Sequence, residues 1–96
     1  MRDYETMLII DPMLEADATE AVIGRFSDVI EKNGGKVEKI DRWGKRKLTY
    51  PINGHADGYY AVLAFKGENA TVEELDRVLR IADEIVRHTI VRRGKQ

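Results

Sequence analysis

The fold turns on the stretch Lys36-Val37-Glu38-Lys39-Ile40-Asp41-Arg42-Trp43-Gly44-Lys45-Arg46-Lys47-Leu48-Thr49-Tyr50-Pro51-Ile52. It is too polar and too irregular for a helix, and its apolar residues change parity. Val37 stands at an odd position, while Leu48, Tyr50 and Ile52 stand at even ones. Strand side chains alternate between faces, so one extra residue must be accommodated, and Gly44 is the natural place for a bulge. Pro51 has no amide hydrogen to give to a ladder, which puts this long, bent strand at the edge of a sheet.

Before this stretch, Tyr4–Ile10 alternates around the apolar tetrad Met7-Leu8-Ile9-Ile10 and stops at Asp11-Pro12, as a central strand closed by a turn would. Asp17 and Glu20 have capping-box spacing. Val22, Ile23, Phe26, Val29 and Ile30 then recur at helical intervals, predicting a helix from about Ala18 to Asn33 that ends at Gly34-Gly35. After the stretch, a turn-rich segment from Asn53-Gly54 to Asp57-Gly58 leads into Tyr59–Phe65, apolar on both faces and so a second central strand. Thr71 with Glu74 has capping-box spacing again, and Val72, Leu75, Val78, Leu79 and Ala82 form the stripe of a second helix. Ile85–Val91 is the last strand. The order β-α-β-β-α-β, with right-handed crossovers, predicts an α+β, ferredoxin-like fold. Its four-stranded antiparallel sheet carries both helices on one face and leaves the other face open. Residues 1–96 are expected to form one such domain, because a chain of 96 residues has no room for a second core.

Composition removes several chemistries. With no cysteine there are no disulfides, thiolate metal sites or cysteine nucleophiles, and a reducing compartment is allowed. Charges at Arg2, Asp3, Glu5 and Asp11 and an apolar run of no more than Tyr59–Phe65 argue against a signal peptide or a membrane span, so a cytoplasmic protein is expected. The net charge of −1 hides two basic blocks, residues 36–47 and 85–96, set in an acidic body. Such asymmetry suits a localised footprint on a polyanion, though solvated surface charge accounts for it as well. Ser27 lies within a helix and His55 and His88 lie in separate elements, so neither a nucleophile set nor a metal set is expected, and no cofactor or small-molecule substrate.

Three classes share the predicted topology. An acylphosphatase-type hydrolase would cradle phosphate in the loop after the first strand, but that loop is Asp11-Pro12-Met13-Leu14-Glu15, where proline removes a donor and carboxylates repel an anion. An RNA-recognition motif that binds single-stranded RNA would carry its signature over Asp57–Ala64. Gly58, Tyr59 and Val62 agree with it, whereas Asp57, Tyr60, Ala61 and Ala64 do not. The open face instead carries Met7, Ile9, Tyr60 and Val62, a surface better suited to protein than to splayed bases. The third class is a binding component. Here the cations of residues 42–47 either guard an edge strand against self-pairing or, with Trp43, contact a partner.

Several segments together carry a resemblance: Met1-Arg2-x-Tyr4-Glu5 followed by Asp11-Pro12, Gly34 after the first helix, Trp43-Gly44-x-Arg46-x-Leu48-x-Tyr50-Pro51-Ile52, and Gly58-Tyr59-Tyr60. Over essentially its whole length the chain resembles the bacterial small-subunit ribosomal protein six family. Two departures stand out. Thr49 replaces the alanine common before the Tyr-Pro pair, and the Asn53-Gly54-His55 turn is less basic than the family's lysine-rich loop. The resemblance implies a non-enzymatic, cytoplasmic component of the ribosome, active in translation. It would bind small-subunit ribosomal RNA with small-subunit ribosomal protein eighteen and aid assembly of the central domain. On this basis Arg2, Arg87, Arg92 and Arg93 are expected at RNA. Arg42, Trp43, Lys45, Arg46, Lys47, Tyr50, Tyr60 and Val62 are expected at the partner protein.

Overall fold

A computed structural model describes residues 1–52 and 55–93, and the side chains of these apart from 48–52 and 55–56. The elements run β1 (Arg2–Ile10), α1 (Ala16–Lys32), β2 (Lys36–Ile52), β3 (His55–Gly67), α2 (Asn69–Ile81) and β4 (Ile85–Arg92). The sheet order is β2-β3-β1-β4, all antiparallel, so the two strands with the most continuous apolar runs are central and Pro51 lies in an edge strand. The ferredoxin-like arrangement expected from the element order is the one observed. β1 begins before its apolar alternation does, because Arg2 and Asp3 pair with Gly67 and Lys66 of β3, and backbone pairing rather than side-chain pattern carries the strand outward.

Alternation divides the central strands cleanly. Tyr4, Leu8 and Ile10 of β1 and Ala61, Leu63 and Phe65 of β3 face the helices and meet Val22, Ile23, Phe26 and Ile30 of α1 and Leu75 and Leu79 of α2 in one buried core. Tyr4 stacks on Phe65 with ring centroids 5.5 Å apart. Thr6 is buried within this face and donates its hydroxyl to the Thr89 carbonyl at 2.8 Å, satisfying the one polar side chain that β1 sends inward.

Both capping expectations need correction. α1 starts after Glu15, not Asp17, and Glu20 is drawn instead into an ion pair with Arg42. α2 starts after Glu68, with Thr71 as its third residue; the Thr71 hydroxyl accepts the Glu68 backbone N–H at 3.1 Å and donates to the Asn33 carbonyl at 2.6 Å. One buried hydroxyl thus joins the end of α1 to the start of α2. Glu74, freed from a cap, pairs with Arg77 at 2.6 Å, where i, i+4 spacing would have selected Glu73. At the same junction Gly35 is obligatory, since a Cβ there would lie 2.7 Å from the Lys66 carbonyl oxygen and 2.9 Å from Thr71.

Candidate nucleic-acid and partner interface

The strand that decides the fold also decides which of its side chains face outward. Its register against β3 slips between Val37 and Lys39 and again between Arg42 and Gly44, with a further irregularity between Lys47 and Ile52. The bulge expected at Gly44 is present, and its φ of 83° is one that glycine adopts without strain. A single bulge was expected, however, and the one around Glu38 is additional. Each slip exchanges the faces. Val37 and Ile40 therefore both point to the core although their numbers differ in parity, and beyond Gly44 the odd positions return to the helix side.

The consequence is that the predicted partner residues separate into two groups. On the helix side, Arg42 reaches α1 and donates Nε and Nη2 to the Glu20 carboxylate at 2.7 and 2.9 Å. That pair holds the Glu20 carboxyl below its ordinary range, chiefly through the hydrogen bond from Arg42. Lys45 lies opposite Tyr59 and shares a cleft with Leu14 and Thr19, and Lys47 lies opposite Asp57. On the open side, Trp43 stacks on Tyr60 with centroids 6.2 Å apart and planes inclined by 10°, and the Arg46 guanidinium sits 5.4 Å from the centre of the indole. Val62 is only 6% exposed and Ile9 8%, so they form the floor rather than the contacting layer. The Tyr50 side chain, like His55, lies outside the described residues.

Trp43 is 45% exposed yet held by two neighbours. A pinned aromatic loses little rotamer freedom on meeting a partner, which is what an anchor residue requires. Beside it, Met7, Ile9, Tyr60, Arg87 and Thr89 line a cleft of about 180 Å³ on the same face.

The four arginines expected at RNA do not form one cluster either. Arg92 lies opposite Tyr4 and Arg87 opposite Ile9, five residues along β4, so their Cα atoms are separated by about 17 Å and their side chains leave opposite faces. Arg92 belongs with Arg2, which donates to Asn69 Oδ1 at 3.1 Å, and with Arg93, whose backbone N–H donates to the Asp3 carbonyl at 2.7 Å. Lys66 and Asp3 pair at 2.9 Å at this same end, and the Lys66 hydrogen bond is the main cause of the depressed Asp3 carboxyl. Arg87 belongs instead with Tyr60. The parity of 87 against 92 carried that distinction; Thr89, on the same side as Arg87, was missed for the same reason.

His88 points the other way. It is 17% exposed on its side chain and its Nε2 lies 2.9 Å from Asp76 Oδ1, while Arg80 donates Nε to Asp76 Oδ2 at 2.8 Å. The hydrogen bond from His88, then that from Arg80, keeps the Asp76 carboxyl low. This bridge ties α2 to β4. Among the described residues no three histidine, aspartate or glutamate side chains converge as a metal set, and no helix is long and apolar enough to cross a membrane.

Comparison with known proteins agrees with this architecture. The family described as Ribosomal protein S6 matches residues 3–92. Small ribosomal subunit protein bS6 of Carboxydothermus hydrogenoformans is 50% identical over 95 residues, covering 99% of both chains. Its counterpart in Clostridium novyi is 50% identical over 91 residues, covering 95% of this chain and 96% of its own. The crystal structure of 30S ribosomal protein S6 from Thermotoga maritima superposes with a TM-score of 0.92 at 34% identity, over 96% of this chain and 87% of that one. The chain belongs to the ribosomal protein S6 family, structural and non-enzymatic components of the small subunit of the bacterial cytoplasmic ribosome.

Proposed function

We infer that this ribosomal component binds small-subunit ribosomal RNA together with small-subunit ribosomal protein eighteen, the two proteins acting as a unit in assembly of the central domain, and that residues 1–96 serve as one domain in doing so. The observation that carries this is the bare sheet face, where Trp43, Tyr60 and Arg46 form a held aromatic and cationic group that no element covers among the described residues. Such a group, flanked by the apolar floor of Ile9 and Val62, is suited to a protein partner. Its charged helix-side neighbours Arg42, Lys45 and Lys47 line the edge and discourage pairing with a second copy.

RNA is assigned to the remote end of the sheet, which carries Arg2 and Arg92 on the helix side and Arg93 beside Asp3; Arg87 goes to the partner face. Phosphate contacts give affinity that falls with salt, because each neutralised phosphate releases condensed counterions. The overall charge of −1 keeps binding to arbitrary RNA weak. Binding alone is therefore expected to be weak, and binding with the partner cooperative. Filter binding of a central-domain RNA fragment, with and without protein eighteen, tests this. A gain of at least tenfold in apparent affinity is expected, and equal affinity in the two cases overturns it.

A further inference from the structure

We propose that the cleft beside Tyr60 receives one apolar side chain of an extended acidic segment, whose carboxylates meet Arg46 and Arg87 on either side; as a property of the partner's docking segment, this rests on the assignment of the bare face to protein eighteen. Three observations lead to it. The first is charge. Among the described residues, Arg25, Arg42, Arg77 and Arg80 each engage a carboxylate within 2.8 Å, whereas Arg46 and Arg87 engage none. Arg2, Arg92 and Arg93, at the far end of the sheet, also form no ion pair among the described residues, but of the arginines so left only Arg46 and Arg87 flank Tyr60 on the open face. A segment rich in lysine or arginine would be repelled there, and an acidic one would find charge-assisted partners.

The second is shape. The cleft of about 180 Å³ is floored by Met7 and Ile9 and walled by Tyr60, Arg87 and Thr89, a space on the scale of a single large side chain. Trp43 is already engaged by Tyr60 and Arg46, which leaves it less able to take up a nucleobase by stacking.

The third is spacing. Arg46 lies opposite Gly58, and Arg87 stands in line with Ile9 and Tyr60. Crossing from β2 to β4 takes three strand intervals of about 4.8 Å, and the offset along the strands is two residues, so the two Cα atoms stand about 16 Å apart. The Cα atoms of residues i and i+4 of an extended segment stand about 14 Å apart, and the long arginine side chains make up the small difference. In an extended peptide residues i, i+2 and i+4 share a face, so the pattern acid-x-apolar-x-acid presents its central side chain to the cleft and a carboxylate to each guanidinium.

Fluorescence of Trp43, the only tryptophan of the chain, reports on the site directly. The intact protein is titrated with three terminally blocked pentapeptides, Asp-Ala-Leu-Ala-Asp, Lys-Ala-Leu-Ala-Lys and Asp-Ala-Gly-Ala-Asp, and with decauridylate. The first peptide is expected to bind at least tenfold more tightly than either of the others, and Arg87→Glu is expected to remove or reverse the preference for it over the lysine peptide. Equal affinity for the acidic and basic peptides overturns the proposal, as does persistence of the preference in Arg87→Glu. Tighter binding of decauridylate than of any peptide overturns it in favour of nucleic acid. A parallel measurement of affinity for protein eighteen separates the two levels. Wild-type protein that shows the peptide preference but does not bind protein eighteen sinks the partner assignment alone, whereas binding that Arg46→Glu and Arg87→Glu leave unchanged sinks the acidic segment alone.

Discussion

On the helix-covered face of the sheet, Leu8, Ile10, Ala61 and Leu63 are removed from solvent, and the arginines of the covering layer and its margin, Arg25 and Arg42, are each locked to a carboxylate. On the bare face, built from the alternate residues of the same strands, Met7 and Tyr60 remain half-buried and Arg46 and Arg87 meet no carboxylate among the described residues. One face is complete in packing and ties the arginines at its centre and margin, Arg25 and Arg42, to carboxylates. The other has a floor, a fixed aromatic pair and uncompensated cations, which is what a surface looks like when its remaining contacts belong to another molecule.

The comparison breaks first on stability. Phe26→Ala, at the fully buried centre of α1, is expected to cost about 3–5 kcal/mol of unfolding free energy, because it removes transfer energy and leaves a cavity. Met7→Ala, half-buried on the bare face, is expected to cost about 1 kcal/mol. Urea denaturation of the two variants checks this, and equal costs would make the bare face a second core rather than a docking surface.

A smaller effect tests the charge bookkeeping of the covered side. The carboxyls of Glu20, Glu74, Asp76 and Glu84 are all held below their ordinary values, 4.5 for the glutamates and 3.8 for the aspartate, by hydrogen bonds from Arg42, Arg77, His88 and Arg25 respectively. Around these values the unfolded chain binds more protons than the folded one. The associated stability is therefore fully present above the ordinary carboxylate range and is lost as the pH falls through the lowered values. Denaturation midpoints measured from pH 6 to pH 3 are expected to fall, and Asp76→Asn is expected to make the fall shallower. A profile that Asp76→Asn leaves unchanged would mean that the α2–β4 bridge carries none of it.

The finest contrast lies within β2. Glu20→Gln, which leaves Arg42 without its carboxylate, is expected to cost about 0.2–1 kcal/mol, as exposed pairs do, while Arg46→Ala is expected to alter stability by no more than about 0.5 kcal/mol. Affinity for the partner should sort them the other way, falling for Arg46→Ala and holding for Glu20→Gln. Matching affinities for the two variants would erase the distinction between the strand's two sides.

Much of this was legible in residues alone. Pro51 marks the edge, Gly44 marks a bulge, and the alternation of Tyr4, Thr6, Leu8 and Ile10 against Met7 and Ile9 assigns both faces of β1 correctly. What was hidden depended on partners distant in the chain. The slip at Glu38 is set by pairing with Ala64 and Phe65, so the shared core face of Val37 and Ile40 could not be read from local pattern, whereas the legible bulge at Gly44 is what sorts Arg42 from Arg46. The helix starts were displaced for a similar reason. Thr71 spends its hydroxyl on Asn33, at the end of the other helix, as well as on Glu68, and Glu20 is spent on Arg42.

The second bulge has an evolutionary corollary. Because Gly44 and Trp43 together oppose a single position of β3, loss of one codon there would leave the hairpin able to close with every downstream side chain on the face it already occupies. Lys45 and Lys47 would keep the helix side and Arg46 the open side. A deletion of three nucleotides would straighten this margin of the molecule while leaving the sorting of its charges intact, with almost no change in overall composition.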